Sequence, residues 1–195
     1  SKFGAIQEAH HVFIKNGLAL FEGRPISVLE IGFGTGLNAF ITYLESQKTG
    51  LQIDYVGVEA YPVAMNEVAQ LNYVSQLQAE EEREKFNLMH TSDWEKAIAI
   101  SNTFTLTKRN QFFDEIKDVA SFYLIYFYAF GYHAQPELWS TEIFIKMRNA
   151  LRKNGVLVTY ACRTVIRKAM QEAGFETEKL AGPPGKREML RGKFL

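Results

Sequence analysis

The stretch VLEIGFGTGLN, residues 28 to 38, decides the predicted fold of this chain. A short run typical of a buried strand leads into a loop with Gly32, Gly34 and Gly36, and helical spacing begins at Asn38. Glycines let such a loop turn tightly and approach a ligand closely, and the amides that begin the helix point at that ligand. The stretch therefore predicts a strand, a ligand-binding loop and a helix in succession.

Strand-like and helix-like segments alternate along the remaining chain. Apolar runs predict strands at 53–58, 86–90, 124–128, 156–160, 175–180 and 188–190. Apolar spacing of three to four residues predicts helices at 38–46, from Pro62 to about 77, from Trp94, at 141–151 and at 164–173. Such alternation predicts a three-layer α/β domain with a mainly parallel sheet.

The amino terminus carries a hairpin signal. The apolar runs HVFI and LALF flank Lys15-Asn16-Gly17, and Asn-Gly between apolar runs is typical of a tight β-turn. With 195 residues, the chain has the length of one domain. We expect a single domain over 1–195, made of a hairpin extension (1–26) and a Rossmann-like core (27–195).

The composition excludes several classes of protein. Cys162 is the only cysteine, which excludes internal disulfides and a cysteine-based zinc site. The four histidines form no recognisable ligand pattern, so we expect no metal. No apolar run approaches the roughly 20 residues of a membrane helix, and no signal-peptide pattern opens the chain. We expect a cytoplasmic protein that does not enter a membrane.

The charge is distributed unevenly although the net charge is zero. Residues 146–195 carry 12 Lys and Arg against 4 Asp and Glu, a net of +8, and residues 1–145 carry 10 against 18, a net of −8. A basic end on an otherwise acidic chain predicts a polyanionic partner. Solvated helix faces with a basic tail are the alternative.

The glycine spacing indicates the cofactor. Dinucleotide-binding loops place the third glycine three residues after the second, whereas this loop reads G-x-G-x-G and follows Glu30. A carboxylate at this position would repel a pyrophosphate but suits an ammonium or sulfonium group. The loop therefore favours S-adenosylmethionine over NAD.

A second acid follows the next predicted strand. Glu59 lies 23 residues after Gly36, where a carboxylate can accept hydrogen bonds from both hydroxyls of a ribose. After the predicted third strand, Asp93 and Trp94 are candidates to bind adenine. Each has a structural alternative: Glu59 as an acid at the end of a strand, Asp93 as a helix cap and Trp94 as a ring of the core. The predicted cofactor-binding residues are Glu30, Gly32, Gly34, Gly36, Asn38, Glu59, Asp93 and Trp94.

Five motifs together carry a resemblance to a known family. They are GAIQEAHHVFI (4–14), VLEIGFGTGLN (28–38), QPELW (135–139), TYACRTVIRKAMQEAGF (159–175) and GPPGKREML (182–190). The chain resembles the bacterial tRNA methyltransferases that complete 5-methylaminomethyl-2-thiouridine at the wobble position. QPELW and GKREML are the specific motifs, because many methyltransferases share the glycine loop.

The resemblance covers nearly the whole chain and implies a function. It implies a Rossmann-like class I fold with a seven-stranded sheet, and methyl transfer from S-adenosylmethionine to the 5-aminomethyl nitrogen of a wobble uridine. Relatives occur alone or fused to a flavin-dependent oxidase. The chain ends soon after GKREML, so we expect no oxidase domain and a separate oxidase as functional partner.

The basic residues of the carboxy-terminal third are candidates to bind the anticodon arm of tRNA, because Lys and Arg contacts to phosphate supply most sequence-independent affinity for nucleic acid. Tyr132 and Trp139 are candidates to stack on unpaired bases, with a role in the core as the alternative. The predicted tRNA-binding residues are Arg163, Arg167, Lys168, Lys186 and Arg187.

The chain departs from the family at the strand that precedes QPELW. Relatives read close to F-D-L-I-Y-F-D-A-F, and here Tyr123 and Tyr128 replace the two aspartates. Tyr123 lies at the far end of the strand, where we expect a packing role. Tyr128 falls at the expected catalytic position, but a phenol carries no charge near neutral pH. Its ring offers a cation–π contact to an ammonium instead.

The catalytic candidates near the amine are therefore Tyr128, Gln135 and Glu137, with Glu8 as a further carboxylate. Two other functions stay open beside an active tRNA methyltransferase. One is a catalytically impaired module that binds cofactor and tRNA, and the other is a small-molecule methyltransferase with a basic tail. An NAD-dependent oxidoreductase is disfavoured by the glycine spacing and Glu30.

Overall fold

An eight-stranded sheet forms the centre of the molecule in the computed structural model, which describes residues 2–195, with side chains from residue 4. The strands are β1 (Ile26–Ile31), β2 (Ile53–Val58), β3 (Ala97–Ser101), β4 (Phe104–Arg109), β5 (Phe122–Phe127), β6 (Leu151–Thr159), β7 (Glu176–Ala181) and β8 (Glu188–Lys193). Their order is β3-β4-β2-β1-β5-β6-β8-β7. The predicted α/β fold is confirmed, with eight strands instead of seven.

The middle of the sheet is parallel and its margins are antiparallel. Strands β4, β2, β1, β5 and β6 run in one direction. Strand β3 pairs antiparallel with β4 at one margin, and β8 pairs antiparallel with both β6 and β7 at the other. The order of parallel strands reverses between β1 and β5, and ligands bind beyond the carboxyl ends of the strands at such a reversal.

Helices cover both faces of the sheet. They are α1 (Lys2–Ala9), α2 (Leu37–Thr49), α3 (Met65–Val68), α4 (Tyr73–Gln76), α5 (Arg83–Thr91), α6 (Thr141–Ala150) and α7 (Thr164–Glu172). None of them within residues 2–195 is long and apolar enough to cross a membrane. The predicted helix from Pro62 to about 77 is instead two separate single turns, α3 and α4.

The sheet separates two hydrophobic cores, and β5 supplies both. Leu124 and Tyr126 pack into the core beneath α2 and α5, whereas Ile125 and Phe127 pack into the core beneath α6 and α7. Side chains alternate between the faces of a strand, so a strand that is hydrophobic throughout fills both layers. This explains the unbroken run FYLIYF in a central parallel strand.

The predicted amino-terminal hairpin is wrong. Helix α1 continues into a π-helical turn (His10–Lys15) and a 3-10 turn (Leu18–Phe21). The Asn16 side chain donates to the carbonyl of His11 at 2.7 Å, so the Asn-Gly pair ends a helix and does not turn a hairpin. Val12 and Phe13 are buried with Leu18 and Phe21 against the sheet, an arrangement that adjacent helical turns satisfy.

The predicted strand at 86–90 is also wrong, because these residues lie in α5. Phe86 and Met89 are its buried residues, three positions apart on one helix face. No helix begins at Trp94, since the chain proceeds to β3. Strand β4, which alternates in burial along FTLTKR, is the strand that pairs with β2 on the side away from β1.

Candidate active site

Five residues follow the carboxyl ends of the parallel strands at one edge of the sheet. The strand register aligns Ile31 with Val58 and with Phe127, Val58 with Arg109, and Phe127 with Thr159. The next residue of each strand therefore lies at the same edge. These residues are Gly32, Glu59, Asn110, Tyr128 and Tyr160.

The glycine loop is held between β2 and β5. The amides of Gly32 and Phe33 both donate to the carbonyl of Val58 at 3.0 Å, and the amide of Tyr128 donates to the carbonyl of Ile31 at 2.8 Å. Gly32 has φ +92°, and a Cβ there would lie 2.4 Å from the carbonyl oxygen of Tyr128. Only glycine fits this contact between loop and strand.

Glu59 faces the loop from the end of β2. Its carboxylate accepts hydrogen bonds from the amide of Gly34 at 2.9 Å and from the amide of Tyr61 at 3.2 Å. Its side chain lies in the walls of two cavities. Glu59 is thus a positioned acceptor beside the glycine loop.

The first of these cavities, the Tyr128 cavity, has a volume of about 390 Å³ and lies directly over the loop. Its walls are formed by Glu8, Gly32, Gly34, Glu59, Phe113, Tyr128, Ala129, Phe130, Gly131 and Tyr160. It brings the amino-terminal helix together with the ends of β1, β2, β5 and β6. The predicted residues Gly32, Gly34, Glu59 and Tyr128 meet here.

The second, the Phe112 cavity, has a volume of about 410 Å³ and adjoins the first through Glu59, Phe113 and Phe130. Tyr61 and Phe112 meet edge to face across it, with ring centroids 6.0 Å apart. Gln135 and Glu137 line this cavity and are absent from the walls of the Tyr128 cavity. The structure therefore separates these two catalytic candidates from Tyr128.

Tyr128 is packed on two sides and open on a third. Its ring meets Phe13 and Tyr160 edge to face, with centroids 5.7 and 5.6 Å apart. Burial is the main cause that raises the pKa of Tyr128 to about 12, and the negative charge of Glu8 adds to it. The phenol is therefore neutral at physiological pH.

Glu30 and Asn38 do not reach either cavity, contrary to their predicted cofactor contacts. Glu30 is fully buried and accepts hydrogen bonds from Asn38 Nδ2 and the Tyr55 hydroxyl, both at 2.8 Å. Burial raises the pKa of Glu30 to about 8. These residues tie β1 to β2 and α2 beneath the loop.

Gly36 has φ +78° at the start of α2, where a Cβ would collide with His90.

Asp93 and Trp94 line a third cavity of about 410 Å³, the Lys108 cavity, which adjoins the loop at Phe33 and Gly34. They follow a helix and do not lie at the carboxyl end of a strand. The Lys108 Nζ is buried, donates to the carbonyl of His90 at 2.9 Å and lies 4.8 Å from the centroid of the Trp94 ring. Glu59 is not among the residues that line the Lys108 cavity.

The predicted basic residues divide into three groups. Arg163 and Lys186 lie near the Tyr128 cavity: Arg163 contacts His133 and the Tyr132 ring, and the Lys186 Nζ lies 4.6 Å from the centroid of the Tyr160 ring. Arg167 instead donates to Thr177 of β7 at 3.1 Å, a contact within the fold. Lys168 and Arg187 are exposed.

The aromatic candidates also divide. Trp139 is 2% exposed and its indole nitrogen donates to the carbonyl of Phe130 at 2.7 Å, so it belongs to the core. Tyr132 is half-buried under Arg163. Tyr123 lies at the start of β5 between the guanidinium groups of Arg24 and Arg152, 5.0 and 5.1 Å from its ring centroid, which agrees with the predicted packing role.

The loop after β4 lines the site but was not predicted from the sequence. Asn110, Phe112 and Phe113 follow this strand, and the two phenylalanines line the cavities beside Glu59. The alternation of apolar and polar residues in FTLTKR was the available signal for β4. A strand predicted at FTLTKR would have made the residues after Arg109, instead of Asp93, the candidates at the end of the third parallel strand.

Comparison with known proteins places this architecture among methyltransferases. Residues 98–194 match a family described as S-adenosyl-L-methionine-dependent methyltransferase. The structure of MnmC2 from Aquifex aeolicus matches with a TM-score of 0.77 at 18% identity, over 97% of this chain and 61% of that chain. The antibiotic-resistance methyltransferase Kmr matches with a TM-score of 0.52 at 12% identity, over 91% and 90%.

Relatives similar in sequence are named as MnmC proteins. The tRNA 5-methylaminomethyl-2-thiouridine biosynthesis bifunctional protein MnmC of Leptospira borgpetersenii (strain JB197) is 28% identical over 97% of this chain. Its counterpart in Hydrogenovibrio crunogenus is 23% identical over 100% of this chain. The chain spans 31% of the length of each. These matches confirm the resemblance predicted from the sequence.

Proposed function

We propose that this chain, an S-adenosylmethionine-dependent methyltransferase, methylates the 5-aminomethyl nitrogen of a wobble uridine in tRNA. The observation that carries the proposal is the Tyr128 cavity, which adjoins the glycine loop and has Arg163 and Lys186 nearby. The names of the relatives supply the substrate class. The resemblance also supports a flavin-dependent oxidase as functional partner and a cytoplasmic location.

The residues around Glu59 fit the cofactor. A carboxylate at the junction of two cavities suits ribose hydroxyls, with the adenine on one side and the methionine part on the other. The aromatic rings of Tyr61, Phe112 and Phe130 suit the adenine in the Phe112 cavity, since rings bind bases by stacking. Gly32 and Gly34 leave the Tyr128 cavity free of side chains beside the loop. We assign the adenine to the Phe112 cavity and leave Asp93 and Trp94 outside the cofactor site.

The chain's own residues orient the reactants. The bound cofactor supplies an electrophilic methyl group on a sulfonium. Tyr128 and Tyr160 form an aromatic wall that excludes water and offers cation–π contacts to the charged amine. The Tyr160 hydroxyl donates to the carbonyl of Ala129 at 2.7 Å, which holds the loop after β5 in place. Positioning of this kind is a large part of catalysis in bimolecular transfer.

The basic group near the cavity would bind the anticodon arm. Arg163 and Lys186 are exposed and lie closest to the cavity, while Lys168 and Arg187 extend the positive surface. Arg167 contributes to the fold through Thr177. We therefore expect Arg163 and Lys186 to dominate binding of tRNA.

The test is transfer of labelled methyl from S-adenosylmethionine to tRNA that bears 5-aminomethyl-2-thiouridine, with the same tRNA lacking the aminomethyl group as control. Label in the first and none in the second is expected. Digestion to nucleosides should locate the label at the wobble base. Label at any other base, or none in the presence of an active relative, would overturn the proposal.

A catalytically impaired binding module is a second candidate, favoured by the neutral phenol at position 128. In that case the parent binds tRNA and cofactor but transfers no methyl, and Tyr128→Asp creates activity. Activity of the parent above background excludes this alternative. The same assay therefore distinguishes the two functions.

A further inference from the structure

We propose that Glu8 is the carboxylate that faces the acceptor amine, in place of the carboxylate missing at position 128. The inference rests on the proposed function, because it identifies the group that receives that same amine. It concerns a residue from the first helix, whereas the strand end supplies only a phenol.

Glu8 reaches the cavity from outside the sheet. It lies near the end of α1, and its side chain is 17% exposed in the wall of the Tyr128 cavity. The following π-helical turn anchors this helix, since Phe13 packs against Tyr126 and Tyr128 with ring centroids 4.8 and 5.7 Å away. The unexpected helical amino terminus is thus what places a carboxylate beside Tyr128.

Only two of the residues that form the walls of the Tyr128 cavity carry a carboxylate, Glu8 and Glu59. The oxygens of Glu59 accept the amides of Gly34 and Tyr61, and Glu59 is assigned to the ribose. Glu8 remains as the acidic group available to an amine in this cavity.

Lys186 orients the Glu8 carboxylate. The two side chains form an ion pair, and the Lys186 Nζ also lies over the Tyr160 ring. An ion pair with one cation leaves a carboxylate with further acceptor sites. Glu8 can therefore hold the incoming ammonium while it stays paired with Lys186.

The acceptor ammonium first loses a proton to the Glu8 carboxylate, which releases that proton to solvent and is charged again before the transfer. The nitrogen lone pair then forms a bond to the methyl carbon as the carbon–sulfur bond breaks, and that bond's electron pair stays on sulfur. The product nitrogen carries a positive charge, which the carboxylate stabilises, and its extra proton leaves through Glu8 to solvent. A positioned base of this kind contributes roughly 10²- to 10⁴-fold to a rate.

Two measurements on the full chain test Glu8→Gln. The first is binding without cofactor, as the ratio of affinities for tRNA with 5-aminomethyl-2-thiouridine and the same tRNA without the aminomethyl group. The parent is expected to prefer the aminomethylated tRNA, and Glu8→Gln to lose the preference. The second is turnover, where kcat is expected to fall by about 10²-fold with little change in the KM for tRNA.

Two further variants separate this role from a structural one. Glu22→Gln alters an exposed carboxylate of the same amino-terminal segment and is expected to behave like the parent. Lys186→Met breaks the ion pair but keeps the carboxylate, so it should raise KM and retain the preference. Equal loss of preference in Glu8→Gln and Lys186→Met, or a Glu8→Gln variant that keeps both preference and kcat, would overturn the inference. A parent without methyl transfer to tRNA contradicts the proposed function instead.

Discussion

At the scale of single residues, burial decides what each acid near the glycine loop can do. Glu30 and Glu59 come from adjacent parallel strands. Glu59 follows the end of β2 and faces the cavities, whereas Glu30 lies within β1, with both oxygens bonded by Asn38 and Tyr55. A buried acid without a cationic partner favours its neutral form, so Glu30 is a structural group that holds a proton.

We expect Glu30→Gln to remove a contribution to stability that decreases as pH rises. Burial raises the folded-state pKa of Glu30 from 4.5 to about 8, so the folded chain retains a proton that the unfolded chain releases between these values. The parent's free energy of unfolding minus that of the variant should therefore fall as pH rises through this window, by up to about 1.4 kcal/mol per pH unit. Urea unfolding of parent and variant at about pH 5, 6.5 and 8 measures this change in the free energy of unfolding.

The comparison between parent and variant isolates Glu30. Burial lowers the pKa of His90 to about 4, which makes stability rise with pH below about 6.5 in both proteins. This contribution cancels in the difference between them. Parallel pH profiles for parent and variant would show that Glu30 is ionised in the folded state.

At the scale of elements, the glycine loop and the end of β5 form one unit. The amide of Tyr128 bonds to the carbonyl of Ile31, and Gly32 leaves no room for a Cβ against the carbonyl of Tyr128. The glycine loop and Tyr128, which both line the Tyr128 cavity, should therefore shift together. A side chain at position 32 should displace both.

We expect Gly32→Ala to destabilise the fold far more than Gly23→Ala. Both glycines have positive φ, but a Cβ at Gly23 meets nothing within 4 Å, whereas at Gly32 it would lie 2.4 Å from a carbonyl oxygen. The backbone conformation alone costs about 1 kcal/mol, and the collision should raise the loss at Gly32 to about 3 kcal/mol. Thermal and urea unfolding of both variants measure the difference, and equal losses would contradict the close contact.

At the scale of the whole molecule, the fold brings two basic residues of the carboxy-terminal third, Arg163 and Lys186, near the Tyr128 cavity. Arg163 directly precedes α7 and Lys186 lies in the loop between β7 and β8, whereas Arg152 in β6 contacts Tyr123 at the opposite end of β5. Helix α2 begins at the glycine loop and carries Lys48 away to its other end. Position along the sheet therefore separates Lys48 from the cations that we propose to bind tRNA.

We expect tRNA affinity to fall steeply with salt and to depend on the basic group near the cavity. Each phosphate contact contributes about 1 to the slope of log affinity against log salt. Arg163→Ala and Lys186→Ala should each reduce the slope by about 1, and Lys48→Ala should leave it unchanged. Filter binding over a range of salt measures this. Weak tRNA binding whose affinity does not depend on salt concentration would favour a small-molecule methyltransferase.

The sequence by itself determined the α/β architecture and the position of the glycine loop and Glu59 at the ends of neighbouring strands. Buried apolar runs that alternate with helical spacing define a parallel sheet, and the glycine loop with Glu59 follows from residue order along two strands. These are local patterns, because a strand end and the loop after it are adjacent in the chain. The register then brings them together without further information.

Only the tertiary structure decided which side chains face the cavities. The helical amino terminus, the position of β4 beside β2, and the separation of Gln135 and Glu137 from Tyr128 depend on packing between distant segments. The direction of Glu30 into the protein and of Glu8 into the Tyr128 cavity is likewise set by neighbours far along the chain. Residue type gives the chemistry of a side chain, but the contacts of the folded chain give its burial and its partners.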